Sequence, residues 1–323
     1  MATTSSLAEH RASPAVERGS VRARLYQVIG RASLCLDALH NLTASNGRSN
    51  HEMKTFDKTG LVVEDVSPLE LWWKDSEIVY AGYDSFAYSF WRAQELSLFE
   101  KNRSLLHHPV LDFGCGDGSF ASVLFSKIDY GVDNDPEALS QAARFAVHET
   151  LLQSSQTTIP LGDCSVRSVF SNSVLEHLTD LRAMLSEINR ILRKDGVFMF
   201  TVPVVQFKHD LAKYFGLRES QRINLRYCHR NLLAVEQWRG LLKDHGFSIV
   251  ALNQFQPDWF TFWFWMFRLL GKRGLGRIVP GIGAKVWESY KTKLIDMVDK
   301  SINETDRGAN IFVIAEKRHI QNY

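Results

Sequence analysis

The chain has 323 residues, 45% of them hydrophobic and 23% charged, with a formal net charge of +2. That is an ordinary globular balance, able to bury a sizeable core, and it lacks the basic surplus of a nucleic-acid binder, so no nucleic-acid partner is expected. Four scattered cysteines with no C-x-x-C pair suit free thiols better than a disulfide framework or a zinc site.

Residues 1–19 are rich in Ser, Ala and Thr and read as an unstructured tail. They lack the apolar core of a secretory signal, so a cytoplasmic location is expected. From Val21 to Leu42 the residues Leu25, Val28, Ile29, Ala32, Cys35, Leu36 and Leu39 recur at helical spacing, with Arg22, Arg24 and Arg31 interleaved. Such a helix docks on its own domain or a twin subunit, or lies as a basic helix on a membrane surface. Residues 43–60 read as a polar linker. The expected division is a flexible tail with an amphipathic helix over 1–60 and one α/β domain over 61–323.

From about Trp72 the pattern tightens. SFAYSFWRAQELSLFEKNRSLL reads as a helix running up to HPVLDFG, the first buried strand, at about 109–113. A helix over Phe120–Phe125, a strand at Tyr130–Val132 and a helix over Pro136–Ala146 follow, with Pro136 suited to a first helical turn. Next come a strand at Ser168–Ser171, a helix at Leu181–Leu192 and a strand at Val197–Val202, with Gly196 placed to stop the helix before it. Strands alternating with helices imply a parallel sheet covered on both faces. After Pro203 the alternation breaks for roughly thirty residues, then resumes with LLAVEQWRGLLKDH, ended by Gly246, and the strand FSIVAL. A second excursion spans about 254–307, and GANIFVIAEKR supplies a last strand.

The loop after the first strand is the informative stretch. In an open parallel sheet, ligands bind beyond the carboxyl ends of the strands, beside the point where strand order reverses. Glycine admits positive φ and lets a ligand approach where a Cβ would collide. GCGDG therefore reads as a loop lying against a ligand. A dinucleotide fingerprint needs glycine at the sixth position from Gly114, which is Ser119, and a P-loop needs a lysine that is absent here. The next strand ends at YGVDNDP, where the acid Asp133 can accept hydrogen bonds from both hydroxyls of a ribose, or alternatively cap the helix that begins at Pro136.

VLDFGCGDG, YGVDND, and SNSVLEHLTD followed by INRILRKDGVFMFTVP together resemble class I S-adenosylmethionine-dependent methyltransferases of the small-molecule type, most closely from Val110 to Pro203. The resemblance implies a Rossmann-like, seven-stranded doubly wound α/β sheet with helices on both faces. It also implies acceptor lids inserted after strand 5 (203–232) and before the last strand (254–307). The implied cofactor is S-adenosyl-L-methionine, with S-adenosyl-L-homocysteine as product. On the same basis Asp112, Gly114, Cys115 and Gly116 cradle its methionine part, Asp133 takes the ribose, Asn134 lies against the adenine, and Asn172 and Ser173 line the pocket. Tyr83 covers the sulfonium, whose charge an aromatic face attracts. Two stretches depart from the family pattern. Ser155 and Gln156 stand where an acid-small pair usually meets the adenine amino group, and Val166-Arg167 replaces Phe-Asp.

For a hydroxyl acceptor a base helps as the proton leaves, and His177 in VLEHL is the first candidate. His209, Tyr227 and His229 are further ones. No His/Cys/Asp cluster shows metal-ligand spacing, and His107-His108 reads as a surface pair, so no metal is expected. The first excursion carries Arg218, Arg222, Arg226 and Arg230, which would suit an anionic acceptor. In the second, residues 259–267 are all aromatic or Met except Thr261. That run is too short to cross a bilayer, which takes about 20 apolar residues. It buries in the core or a homodimer interface, lines a greasy acceptor pocket, or makes a peripheral membrane contact through Trp259–Leu270. The expected activity is methyl transfer to oxygen or carbon of a small, hydrophobic or lipid-like acceptor. The alternative is a catalytically silent cofactor-binding scaffold within a biosynthetic complex.

Overall fold

The computed structural model describes residues 55–56, 62–63, 85–155, 157–268, 282–303 and 305–318. All of them belong to the compact unit Met53–Tyr323. The helix expected over Val21–Leu42, together with Tyr83, Gln156 and Leu269–Leu270, lies outside the described residues.

A two-stranded antiparallel ladder pairs β1 (Thr55–Phe56) with β2 (Val62–Val63). The main sheet uses β3 (Val110–Phe113), β4 (Ile128–Asp133), β5 (His148–Gln153), β6 (Val166–Asn172), β7 (Leu192–Pro203), β8 (Phe247–Phe255) and β9 (Asn310–Lys317). Their order is β5-β4-β3-β6-β7-β9-β8, so the direction of winding reverses between β3 and β6. Strands β3 to β7 pair in parallel, and β9 runs antiparallel to both β7 and β8. This is the seven-stranded doubly wound sheet that the resemblance implies.

The helices are α1 (Ser85–Asn102), α2 (Ser119–Leu124), α3 (Pro136–Ala142), α4 (Leu181–Ile191), α5 (Val205–Phe215), α6 (Leu217–Arg226), α7 (Val235–Asp244), α8 (Asp258–Arg268) and α9 (Ile282–Asn303). One face of the sheet packs on α1, α2, α8 and α9 through residues such as Phe90, Phe99, Leu124, Phe264 and Met297. The other packs on α4 and α7, with Met184, Leu185, Ile188 and Trp238 at its centre. Both faces are sealed, so central β6 has six of its seven residues wholly or partly out of water, the polar Ser168 and Ser171 included.

Two local expectations change. HETLLQ forms the edge strand β5, which the sequence reading passed over: only His148 is buried in it, because an edge strand needs little apolar cover. Gly196 does not stop α4. That helix ends at Ile191, Leu192 is already extended, and Gly196 follows the left-handed Asp195 (φ 59°) inside β7. The aromatic run over 259–267 belongs to α8, which buries Phe260, Thr261, Phe264 and Phe267 and leaves Trp259, Phe262, Trp263, Trp265 and Met266 half-buried. Gly246, by contrast, ends α7 as expected, in left-handed geometry at φ 79°. Among the described residues no helix is long and apolar enough to cross a membrane.

Candidate active site

The loop between β3 and α2 is tied to the end of β4. The amides of Gly114 and Cys115 both donate to the carbonyl of Val132, at 2.7 and 3.0 Å. Gly116 N donates to Oδ2 of Asp133 at 2.8 Å, and Asp135 N to its Oδ1 at 3.0 Å. Helix α3 is capped by Asp135, which accepts from Glu137 N at 2.9 Å, so Asp133 is not the cap. Its carboxylate stands at the strand end, held by two amides with acceptor capacity to spare.

The three loop glycines have φ of 74°, 54° and 79° but do different jobs. A Cβ on Gly114 would stand 2.4 Å from Cγ2 of Val174, and one on Gly118 3.0 Å from Cα of Ala142, so these two permit close packing. On Gly116 a Cβ would meet nothing within 4 Å and would project into open space. That space is a cavity of about 450 Å³ beyond the carboxyl ends of β3, β4 and β6. It is lined by Asp112, Gly114, Cys115 and Gly116, by Asp133, Asn134 and Ser155, and by Asn172, Ser173 and His177. Every described residue singled out from the sequence as cofactor-binding or as first-choice base therefore faces one cavity.

Burial sets the chemistry of its floor. The Asp112 carboxylate is buried and lies 2.9 Å from Nε2 of His148, and desolvation pushes its ionisation upward. His148 passes over Gly131, where a Cβ would come within 2.6 Å of its ring. The Cys115 thiol is raised far above its ordinary range, by burial first and then by Asp112 and Asp133, so it stays protonated and packs rather than reacts.

The opposite wall hangs on a residue that sequence reasoning missed. Glu95, fully buried on α1, accepts hydrogen bonds from Trp91 Nε1 (2.9 Å), Arg92 (2.6 Å), Asn172 Nδ2 (3.0 Å) and Ser173 Oγ (2.7 Å). Asn172 Oδ1 accepts in turn from Thr201 Oγ1 at 2.6 Å. A carboxylate one turn before Phe99 and beside Leu96, among residues that face the core, was the available signal, since such a group must find partners when buried.

A second cavity of about 100 Å³ shares Arg92, Ser173 and His177 with the first. Its walls are aromatic, from Tyr88, Trp91, Phe207, Tyr227 and Phe264, with Glu176 and His229 beside them. Tyr88 Oη donates to Tyr227 Oη at 2.6 Å, and the Arg268 guanidinium bonds Tyr227 and lies 4.6 Å from the Trp265 ring centre. The chain over 228–231 is stitched under the end of β6. Arg230 N and Asn231 N donate to Glu176 O at 2.7 and 3.0 Å, and Asn231 Nδ2 donates to the carbonyls of Leu175 and Leu178. This brings His229 to His177, with ring centres 5.5 Å apart. Burial lowers both imidazoles, His229 to about 4, and pushes the Glu176 carboxyl up to about 8. Glu176, His177 and His229 can each present a ligand atom within 4.8 Å of the others. His209 is exposed and lines neither cavity. Of the four arginines in the first excursion only Arg230 reaches a cavity wall, while Arg218, Arg222 and Arg226 are exposed on α6. The His107-His108 pair is exposed, with His108 against Asp129.

Residues 111–200 match the family model described as a methyltransferase domain. This segment is a class I S-adenosylmethionine-dependent methyltransferase domain. A "probable S-adenosylmethionine-dependent methyltransferase" of Mycobacterium tuberculosis is 31% identical over 145 residues, which are 44% of this chain and 50% of that one. The malonyl-[acyl-carrier protein] O-methyltransferase of Yersinia pestis is 32% identical over 115 residues, 35% of this chain and 43% of that one. The chain thus spans about half the length, or less, of these curated relatives. Among solved structures, geranyl diphosphate methyltransferase in complex with GPP and sinefungin is similar at a TM-score of 0.47. It shares 14% identity over 69% of this chain and 76% of that one. The methyltransferase domain's open cradle at Gly116 and the two-amide grip on Asp133 fit a nucleoside-bearing cofactor: backbone approach on one side, a ribose acceptor on the other.

Proposed function

We propose that the protein transfers a methyl group from S-adenosylmethionine to oxygen or carbon of a small, apolar acceptor. The observation that carries this reading is the pair of adjoining cavities, one walled by the glycine loop and Asp133, the other by aromatic rings, which meet at Ser173 and His177. The bound cofactor supplies a sulfonium methyl, an electrophile that needs chiefly an aligned nucleophile. In this reading Asp133 accepts from the ribose hydroxyls, Asn134 and Ser155 border the adenine, and Gly116 leaves room for the methionine part. His177, kept neutral by burial, faces the junction and can take a proton from an acceptor hydroxyl. The O-methyltransferase name of the Yersinia relative agrees with an oxygen acceptor. The half-buried rings of α8 beside the aromatic cavity support an acceptor delivered from an apolar phase such as a membrane surface.

Calorimetric titration with S-adenosylmethionine and S-adenosylhomocysteine tests the first half. Binding is expected for the wild type and is weakened in Asp133→Ala; no heat from either ligand would refute the reading. Production of S-adenosylhomocysteine with a pool of lipophilic acceptors tests the second half. Cofactor binding without turnover would favour the silent scaffold.

A further inference from the structure

The three groups Glu176, His177 and His229 have an arrangement that proton transfer alone does not need. Each imidazole has its Nδ1 turned to an oxygen that can only accept. Nδ1 of His177 lies 3.4 Å from the carbonyl of Cys228, and Nδ1 of His229 lies 2.9 Å from Oδ1 of Asn224. Asn224 is oriented by its own Nδ2, which donates to the carbonyl of Ser220 at 2.8 Å, so Oδ1 is the atom left for His229. Both rings therefore carry their proton on Nδ1 and present a bare Nε2. Metal-bound histidines are oriented by the same kind of outer bond. The third group is Glu176, 2% exposed, whose Oε2 has no hydrogen-bond partner and whose Oε1 lies 3.6 Å from Nε2 of His177. Burial of this carboxyl without a partner is costly, and a cation would remove that cost. The nearby Arg92 guanidinium is engaged by Glu95.

We propose that Glu176, His177 and His229 form a binding site for one divalent transition-metal ion at the acceptor end of the active site. All three ligand atoms lie within 4.8 Å of one another. Bonds of about 2.1 Å place neighbouring ligands roughly 3–3.5 Å apart, so a small turn of each side chain closes the set. Two imidazoles and one carboxylate suit an ion of the manganese-to-zinc range better than magnesium or calcium, which favour oxygen alone. Three protein ligands leave a coordination position open toward the aromatic cavity, as in catalytic rather than structural sites.

The role of the ion rests on the methyl-transfer reading above. An acceptor hydroxyl on the open position becomes more acidic and releases its proton to solvent. An oxygen lone pair then forms the O–CH3 bond as the S–CH3 bond breaks, and that bond's electron pair stays on sulfur as a neutral thioether. His177 serves here as a ligand, and no protein base is required.

The test uses the full chain, stripped with a chelator and titrated with Zn2+ and with Co2+, while S-adenosylmethionine binding is measured on the same samples. One ion per chain is expected, with a Co2+ visible spectrum of mixed nitrogen and oxygen ligation. Glu176→Gln and His229→Ala should each lose at least about tenfold in metal affinity, the minimum that even outer-shell changes cost. Absence of stoichiometric uptake by the wild type, or uptake unchanged in both variants, overturns the site. If a variant fails to fold, judged by lost cofactor binding, the Co2+ spectrum of the wild type decides: no imidazole ligation, no site. Metal uptake without cofactor binding would sink the methyltransferase reading and leave the site standing. The reverse would sink the site alone.

Discussion

The two halves of the active site are built from different materials. The glycine-loop half, proposed above to hold the cofactor, is mostly backbone: Gly114, Cys115 and Gly116 bond to the last residues of β4, and their geometry follows from strand order. The aromatic half, proposed above to take the acceptor, is mostly side chains, drawn from α1, α5, α8 and the 227–231 segment, which are brought together by packing. Backbone cradles recur wherever the sheet recurs, because they depend on glycine positions and hydrogen bonds common to any chain of that topology. Side-chain walls can vary without disturbing the sheet, which is how one fold serves many acceptors. Glu95 stands between the two, since it holds Asn172 and Ser173 on one side and Trp91 and Arg92 on the other.

The sharpest way to break this division is Glu95→Ala. It strands four donors around a fully buried position, and the expected cost is about 3–5 kcal/mol of stability, the range for breaking a buried charged pair. Denaturant unfolding checks it, and both cofactor and acceptor binding should suffer together. Asp133→Ala should act on the cofactor half alone. A loss of roughly 1–3 kcal/mol in S-adenosylmethionine affinity is expected from the unpaired hydroxyls, with the melting temperature little changed. Unaltered affinity in the calorimeter would remove Asp133 from the ribose role.

Phe264→Leu addresses the other half. The swap shrinks a buried ring that makes edge contacts with Tyr88, Trp91 and Trp265, and should cost roughly 1–2 kcal/mol of stability. It should raise the acceptor KM and leave cofactor affinity intact, as steady-state kinetics on both substrates can show. The smallest effect is expected at Asp210 on α5, whose carboxyl is raised by burial despite a hydrogen bond from Gln206. A folded pKa above the unfolded one means that ionisation opposes folding. Stability from this group is therefore present at acid pH and lost as pH rises from the ordinary aspartate range through the raised value. Asp210→Asn should raise the melting temperature slightly at neutral pH and leave it unchanged at acid pH, below both values. A gain at acid pH as well would show that some other contact had changed.

Much of the glycine-loop cavity was legible in the amino-acid order. GCGDG followed by an apolar helix, and an acid ending the next strand, are local patterns with a local physical cause: positive φ at the glycines and a strand end that points at the loop. The edge strand β5 was not legible, because HETLLQ covers almost no core and carries no apolar run. Gly196 misled for a similar reason: a glycine after a helical stretch looks like a terminator, yet here it relieves crowding against the carbonyls of Arg193 and Arg167.

The order of residues alone thus determined the alternating sheet, the glycine loop and the acid that ends β4, since each depends on neighbours within a few positions. Only the tertiary structure brought Glu95 to Asn172, 77 residues away, and set His229 beside Glu176 and His177. Such pairings are decided by where helices land when two faces of one sheet are sealed from water. No spacing along the chain encodes that.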